Sequence, residues 1–237
     1  DGTEFTCTFA MCSTICGYLD KIDAELFDYI VIDEAHRVGA KGYQRILEHF
    51  KPKFCLGMTA TPNRTDGYDV FALFNHVIAY QITLQDALRE DMLAPFHYFG
   101  IADLAIDEEE QSDFTLFSKL TSEARVNHII DKIEEYSVKK DGRKGLVFCS
   151  RLEEARELAK QFTQRGYKSE AIDGSDSDAE RDEVIRKLES GELEYIFSVN
   201  ILNEGVDIPA VNQIIMLRRT ESSIVFVQQL GRGLRKA

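Results

Sequence analysis

The sequence predicts an α/β protein built as two parallel-sheet domains, and three observations carry that prediction. Short apolar runs end in polar or charged residues, as buried parallel strands do at their carboxyl ends, and Tyr29-Ile30-Val31-Ile32 and Phe54 to Met58 are the first two. From residue 120 onward such runs alternate with stretches of helical spacing, the pattern of a parallel sheet with helices on both faces. A length of 237 residues is enough for two ordinary domains, each burying its own core.

Taken in order, the run at 29–32 leads into Asp33-Glu34 and the run from Phe54 leads into Thr59 and Thr61. In open parallel sheets that edge is where ligands bind. Residues 77–101 read as paired short strands around a polar helix from Leu84 to Glu90. The domain boundary is placed near Met92, where Leu93-Ala94-Pro95 breaks the local pattern, giving domains 1–92 and 93–237. Val126, Ile129, Ile130 and Ile133 then fall at helical spacing, Leu146 to Cys149 reads as a strand, and Leu152, Ala155, Leu158, Ala159 and Phe162 mark a helix. Ser177-Asp178-Ala179-Glu180 has the spacing of a capping box, and Gly191 is placed to stop the helix it opens. Strands at Tyr195 to Val199 and Gln213 to Leu217 follow, with a last helix from about Ser222.

Composition narrows the class. Hydrophobic residues at 44% and charged residues at 29% are those of a globular protein, and no apolar run approaches the length of a membrane span. Without a basic flank and apolar stretch at residue 1, the expected location is cytoplasmic, with no membrane partner. Five cysteines, an odd count with no C-x-x-C pair, read as reduced thiols; Cys7, Cys12 and Cys16 fall short of the four thiolates an iron–sulfur cluster takes. The net charge of −13 opposes binding to a phosphate backbone, but its distribution is uneven. Asp103, Asp107, Glu108, Glu109, Glu110 and Asp113 read as a solvated or partner-facing loop. Lys139, Lys140, Arg143, Lys144 and Arg151, and later Arg218, Arg219, Arg232, Arg235 and Lys236, form basic clusters that ordinary surface side chains would also produce.

Asp33-Glu34-Ala35-His36 closes the first strand. An Asp there can hold a magnesium ion through its water shell, and a neighbouring Glu can orient or deprotonate an attacking water. Two acids can equally cap a helix. The tetrad gains weight from Leu56-Gly57-Met58-Thr59-Ala60-Thr61-Pro62-Asn63-Arg64-Thr65-Asp66-Gly67 downstream. Together these stretches resemble the superfamily 2 DNA/RNA helicase-type ATPases of the DEAH-box kind, whose T-A-T-P-x-R-x-D-G segment has this form.

The resemblance continues in the second half. Leu146-Val147-Phe148-Cys149-Ser150-Arg151 is similar to the family's motif IV, and Ile172-Asp173-Gly174-Ser175 to the segment after it. Asn203-Glu204-Gly205-Val206-Asp207-Ile208-Pro209 resembles motif V, and Gln228-x-x-Gly231-Arg232-x-x-Arg235 resembles motif VI. One departure stands out: a T-D pair common among relatives reads Val199-Asn200 here.

What the resemblance implies is specific. It assigns Asp33, Glu34, His36, Gln228, Arg232 and Arg235 to catalysis on ATP, with Asp33 as the Mg2+ residue. Thr59 and Thr61 couple nucleotide state to the two lobes, Gly205 and Asp207 serve the cofactor, and Ser150, Arg151 and Gly174 meet nucleic acid. It implies two RecA-like lobes, the first truncated at its N-terminus, acting on DNA with RNA as the alternative, and hydrolysing ATP in the interlobe cleft. The T-P-x-R-x-D-G and E-G-V-D-I-P stretches look most like restriction-enzyme motor subunits and excision-repair helicases.

No G-x-x-x-x-G-K-[ST] occurs in the chain, so the lysine and backbone cradle for the β- and γ-phosphates are absent from it. The expectation is therefore a fragment of a helicase or translocase, inactive by itself and prone to self-association through a sheet edge or apolar surface left exposed in the first lobe. A restriction motor subunit with a nuclease domain or subunit elsewhere, and a nucleic-acid-binding or interaction module without turnover, are the alternatives.

Overall fold

The structure is a computed structural model that describes residues 7–61, 67–104, 113–137, 142–199, 201, 208–218, 226, 229–231 and 233–234. It divides into two compact units, Asp1–Gln81 and Ile82–Ala237. The division falls earlier than Met92, because the polar helix beyond Gln81 clusters with the second unit. Among the described residues no helix is long and apolar enough to cross a membrane.

In the first unit, helix α1 (Cys12–Cys16) precedes strand β1 (Tyr29–Ile32), helix α2 (Lys41–His49) and strand β2 (Phe54–Gly57). The strands pair in parallel, Tyr29 opposite Phe54 and Ile32 opposite Gly57. Successive side chains on a strand point to opposite faces, and here only one face is covered. Ile30 and Ile32 pack into cores with Leu19, Ile46 and Phe50 and with Ala35, Val38 and Val70. Tyr29, Val31 and Phe54 remain 71%, 58% and 51% exposed. This corrects the expectation of fully buried strands: the apolar run is right, but nothing described lies over its second face.

Helix α3 (Leu84–Arg89) opens the second unit, capped by Thr83, whose hydroxyl oxygen accepts the Asp86 N–H at 3.1 Å. The paired short strands expected around it are not formed: residues 77–83 and 92–101 carry no ladder. Their apolar residues, Val77, Ile78, Tyr80, Tyr98, Phe99 and Ile101, stay exposed, because no tight turn joins the two stretches into a hairpin.

Helices α4 (Asp113–Leu120) and α5 (Glu123–Tyr136) lead to strand β3 (Gly145–Phe148), helix α6 (Leu152–Gln164), strand β4 (Ser169–Ile172), helix α7 (Asp178–Ser190) and strands β5 (Tyr195–Ser198) and β6 (Gln213–Met216). All pairings are parallel, in the order β4-β5-β3-β6. Helix α7 begins with the capping box read from the sequence, Ser177 and Glu180 satisfying each other's backbone N–H, and stops at Gly191 in the left-handed region at φ 84°. The last expected helix, from about Ser222, lies largely outside the described residues.

Both faces of this sheet are covered. Val147, Tyr195 and Phe197 pack on α5 and α6 through Val126, Ile129, Ile133, Leu158 and Phe162. Leu146, Phe148, Ile172 and Ile196 pack on the opposite side with Val184 and Leu188 of α7. Gly145 sits opposite Tyr195, and a Cβ there would lie 2.4 Å from the Tyr195 ring, which is wholly buried and bonded to Gln213. We predict that Gly145→Ala destabilises the second unit by about 1–3 kcal/mol. Gly100→Ala, whose added carbon meets nothing within 4 Å, should cost under about 0.5 kcal/mol. Urea unfolding of both variants checks this, and equal midpoints would contradict it.

Candidate nucleotide and nucleic-acid sites

Parallel pairing brings the ends of β1 and β2 together and continues one step past both strands. Met58 donates its N–H to Ile32 O at 2.9 Å, and Ala35 donates to Met58 O at 2.8 Å. These two bonds carry Asp33-Glu34-Ala35-His36 over Thr59-Ala60-Thr61. Glu34 takes a left-handed backbone, φ 49° and ψ 48°, and its N–H donates to Asp33 Oδ1 at 2.9 Å. A non-glycine residue held there costs roughly 1–3 kcal/mol and marks a turn fixed by its surroundings.

His36 supplies that surrounding. It is buried, and its Nδ1 lies 3.2 Å from Glu34 Oε2 and 3.1 Å from Thr59 Oγ1. An ionised carboxylate only accepts, so Nδ1 carries the proton and Thr59 Oγ1 shares it. Thr59 Oγ1 also accepts the Thr61 N–H at 3.1 Å. Among the described residues Thr61 Oγ1 is buried without a hydrogen-bond partner. Asp33, Glu34, His36, Thr59 and Thr61 thus form one connected group, with Asp33 exposed at its mouth.

The chemistry of this group suits a magnesium–nucleotide. Among the described residues there is no cluster of three or more His, Cys, Asp or Glu that could hold a metal in an all-protein cage. One carboxylate at a strand end is what Mg2+ uses when water and phosphate complete its shell. The cysteines are free thiols, and burial first, then the Glu154 charge, pushes the Cys149 thiol well above its ordinary value.

In the second unit the ladder also runs past the strands: Cys149 donates to Ser198 O and Leu217 to Phe148 O, each at 2.9 Å. This edge presents Ser150, Arg151 and Gly174. The exposed Ser150 donates its N–H to Glu154 Oε2 at 2.9 Å, and Arg151 Nη1 donates to Asp113 Oδ1 at 2.8 Å. Gly174 is exposed, and its carbonyl accepts from Arg181 Nη2 at 3.2 Å. Asp173 closes this turn, taking the Ser175 N–H at 2.7 Å and the Ser175 hydroxyl at 2.5 Å, with Arg156 on its other oxygen. Hydrogen bonds from the Ser175 hydroxyl and N–H, helped by Arg156, hold the Asp173 carboxyl below the usual carboxylate range.

Charge is used internally more than the sequence suggested. Asp103 and Asp113, read there as solvated, pair with Arg125 and Arg151. Arg143 of the first basic cluster pairs with Glu134 at 2.7 Å. Gly205, Asp207, Gln228, Arg232 and Arg235 lie outside the described residues.

Two functional candidates escaped the sequence reading. Arg125 is 1% exposed and Glu154 fully buried, joined at 2.9 Å. Arg125 also donates to Leu120 O at 2.7 Å and Asp103 Oδ2 at 2.9 Å. Burial works against its charge, yet Asp103 and Glu154 outweigh that and raise its pKa. The available signal was a charged residue on each apolar helical stripe: Arg125 beside Val126, Ile129 and Ile133, and Glu154 beside Ala155, Leu158 and Phe162.

Comparison with known proteins agrees with the fold class. Residues 124–237 match the family described as "Helicase conserved C-terminal domain", and residues 4–64 match "Type III restriction enzyme, res subunit". Both matches, in that order on one α/β chain, support a superfamily 2 helicase-type fragment. Within that superfamily it is related to restriction-enzyme motor subunits. It superposes with TM-score 0.71 and 25% identity on a fragment described as an HsdR subunit of a type I restriction enzyme from Vibrio vulnificus YJ016, covering 95% of this chain and 44% of that one. A Saccharomyces cerevisiae protein described as the ATP-dependent helicase IRC3 is 28% identical over 238 residues, 95% of this chain and 34% of its own length. The "51.5 kDa protein" of Lactococcus phage (isolate 7-9) is 27% identical over 207 residues, 87% of this chain and 46% of its own. The chain therefore spans less than half of each of these relatives.

The connected group makes a direct prediction. Thr59→Val keeps the side-chain shape but leaves the Thr61 N–H without its acceptor and His36 with one fewer, and should destabilise the first unit by about 1–3 kcal/mol. Thr59→Ser should restore most of it. Thermal unfolding of the two variants tests this; a Val variant as stable as the Ser variant would contradict it.

Proposed function

We propose that this chain is the motor part of an ATP-dependent helicase or translocase acting on nucleic acid, DNA in the first instance. Asp33 would hold the magnesium ion of Mg–ATP, and Glu34 would orient the attacking water and accept its proton. Magnesium, when bound, supplies charge neutralisation on the phosphates. His36 holds the Glu34 carboxylate from behind while its proton is shared with Thr59. That shared contact, 3.1 Å to Thr59 and 3.2 Å to Glu34, is the observation that supports the reading most directly. It ties the water-orienting carboxylate to the T-A-T segment, so a change at the nucleotide is felt at Thr59 and Thr61.

In the second unit, Ser150, Arg151 and Gly174 sit at the carboxyl edge of the sheet and suit contact with a phosphate backbone. The motif resemblance gives Gly205 and Asp207 to the nucleotide, and Gln228, Arg232 and Arg235 to the charge that builds on the transferred phosphoryl group. The match of residues 4–64 and the HsdR likeness favour a restriction-type motor within this class. We propose further that ATP turnover needs a phosphate loop from adjoining chain, since the 237 residues contain no G-x-x-x-x-G-K-[ST].

The test uses the intact gene product and this chain side by side. Glu34→Gln in the intact protein should lower the DNA-stimulated ATPase rate by about 10²–10⁴-fold while nucleotide still binds. The 237-residue chain should show no hydrolysis. Wild-type turnover in the Gln variant, or hydrolysis by the chain alone that Glu34→Gln abolishes, would overturn the proposal.

A further inference from the structure

Among the described residues, the Arg125–Glu154 pair is the largest buried polar feature that the proposed mechanism leaves unused. Burying two charges is expensive, several kcal/mol for each ion before they attract, and an apolar pair of similar volume would join α5 to α6 at least as well. What apolar residues would not supply is the second carboxylate oxygen. Glu154 Oε1 faces Arg125, while Oε2 accepts the Ser150 N–H at 2.9 Å. Arg125 fixes the other side of the arrangement, donating to Leu120 O at 2.7 Å and reaching Leu217 O at 3.4 Å. One guanidinium thus sets the start of α5, the first turn of α6 and the end of β6 in register, and the carboxylate passes that register to the turn between β3 and α6.

That turn has few other means of holding its shape. Arg151 is the N-cap of α6, with φ −136° and ψ 151°, and its side chain makes no capping hydrogen bond. Glu154, at the third helical position, reaches back beyond the cap to Ser150, as the Glu of a capping box reaches back to its own N-cap.

We propose that Glu154, held by Arg125, is a positioning residue that presents Ser150 and Arg151 to a nucleic-acid backbone. The inference rests on the proposed reading of Ser150 and Arg151 as backbone contacts. Its action is indirect: Glu154 touches the Ser150 amide, and Arg151 makes the contact with phosphate.

A salt series on the intact protein binding a labelled DNA duplex separates this role from a merely structural one. Arg151→Gln should lower the slope of log affinity against log salt by about one. Glu154→Asp keeps the charge that Arg125 needs but withdraws the carboxylate from Ser150. It should lower the slope by about the same amount, and the double variant should lower it no further. Ser150→Pro deletes the N–H donated to Glu154 Oε2 while leaving Arg125 on Oε1, and this electrically neutral change should also lower the slope by about one. If Arg151→Gln leaves the slope unchanged, the backbone-contact reading fails and the inference with it. If Arg151→Gln lowers the slope but Glu154→Asp and Ser150→Pro do not, or the effects add in the double variant, the inference fails while the reading stands.

Discussion

The register of the parallel ladders is the constraint on which the candidate sites depend. Parallel strands all leave the sheet at the same edge, so whatever follows them in sequence is gathered there regardless of chain distance. Ile32 opposite Gly57 puts Asp33 beside Met58 and makes the His36–Thr59 contact available across 23 residues. Phe148 opposite both Ser198 and Met216, and Ile172 opposite Ser198, bring the Ser150 turn, the Gly174 turn and the end of β6 to one edge of the second unit. A slip of one residue would exchange the side chains that the two faces present and separate these groups at once.

Above that edge, polar contacts decide which side chains are held and which are presented. In the first unit a single imidazole proton serves a carboxylate and a hydroxyl, which fixes Glu34 in an unfavourable backbone and leaves Asp33 exposed. In the second, a guanidinium surrounded by Glu154, Asp103 and two carbonyls holds the turns around it, while Ser150 stays exposed. A net charge of −13 is compatible with nucleic-acid binding only if positive charge is placed locally. Arg151 is such a charge, since its partner Asp113 is an exposed carboxylate that a phosphate can replace at little cost.

The sequence was most informative where one residue type answers to one local cause. Apolar runs mark the strands, and the Ser177–Glu180 spacing marks the start of α7, because both signals lie within a few residues. Its limits were set by distance and by cover. Arg125 and Glu154 are 29 residues apart and meet only because their helices pack on the same face of a sheet. Tyr29 and Val31 have the same strand character as Ile30 and Ile32, and only packing separates the covered face from the exposed one. Between residues 77 and 101 strand-like composition did not produce strands, since a ladder needs a partner as well as a propensity. Asp33, Glu34, His36, Thr59 and Thr61 were legible as two motifs, while their joining through one imidazole was visible only in three dimensions.

The proposed function requires nucleic acid to meet the carboxyl edge of the second unit's sheet. Photo-crosslinking of a backbone-modified DNA to the intact protein, with the attached peptides mapped by mass spectrometry, tests it most directly. Labels are expected within residues 149–151 and 173–175, at the turns that follow β3 and β4. Labels confined to the opposite edge, around Lys144, Glu194 and Asn212, with none at Ser150, Arg151 or Gly174, would contradict it.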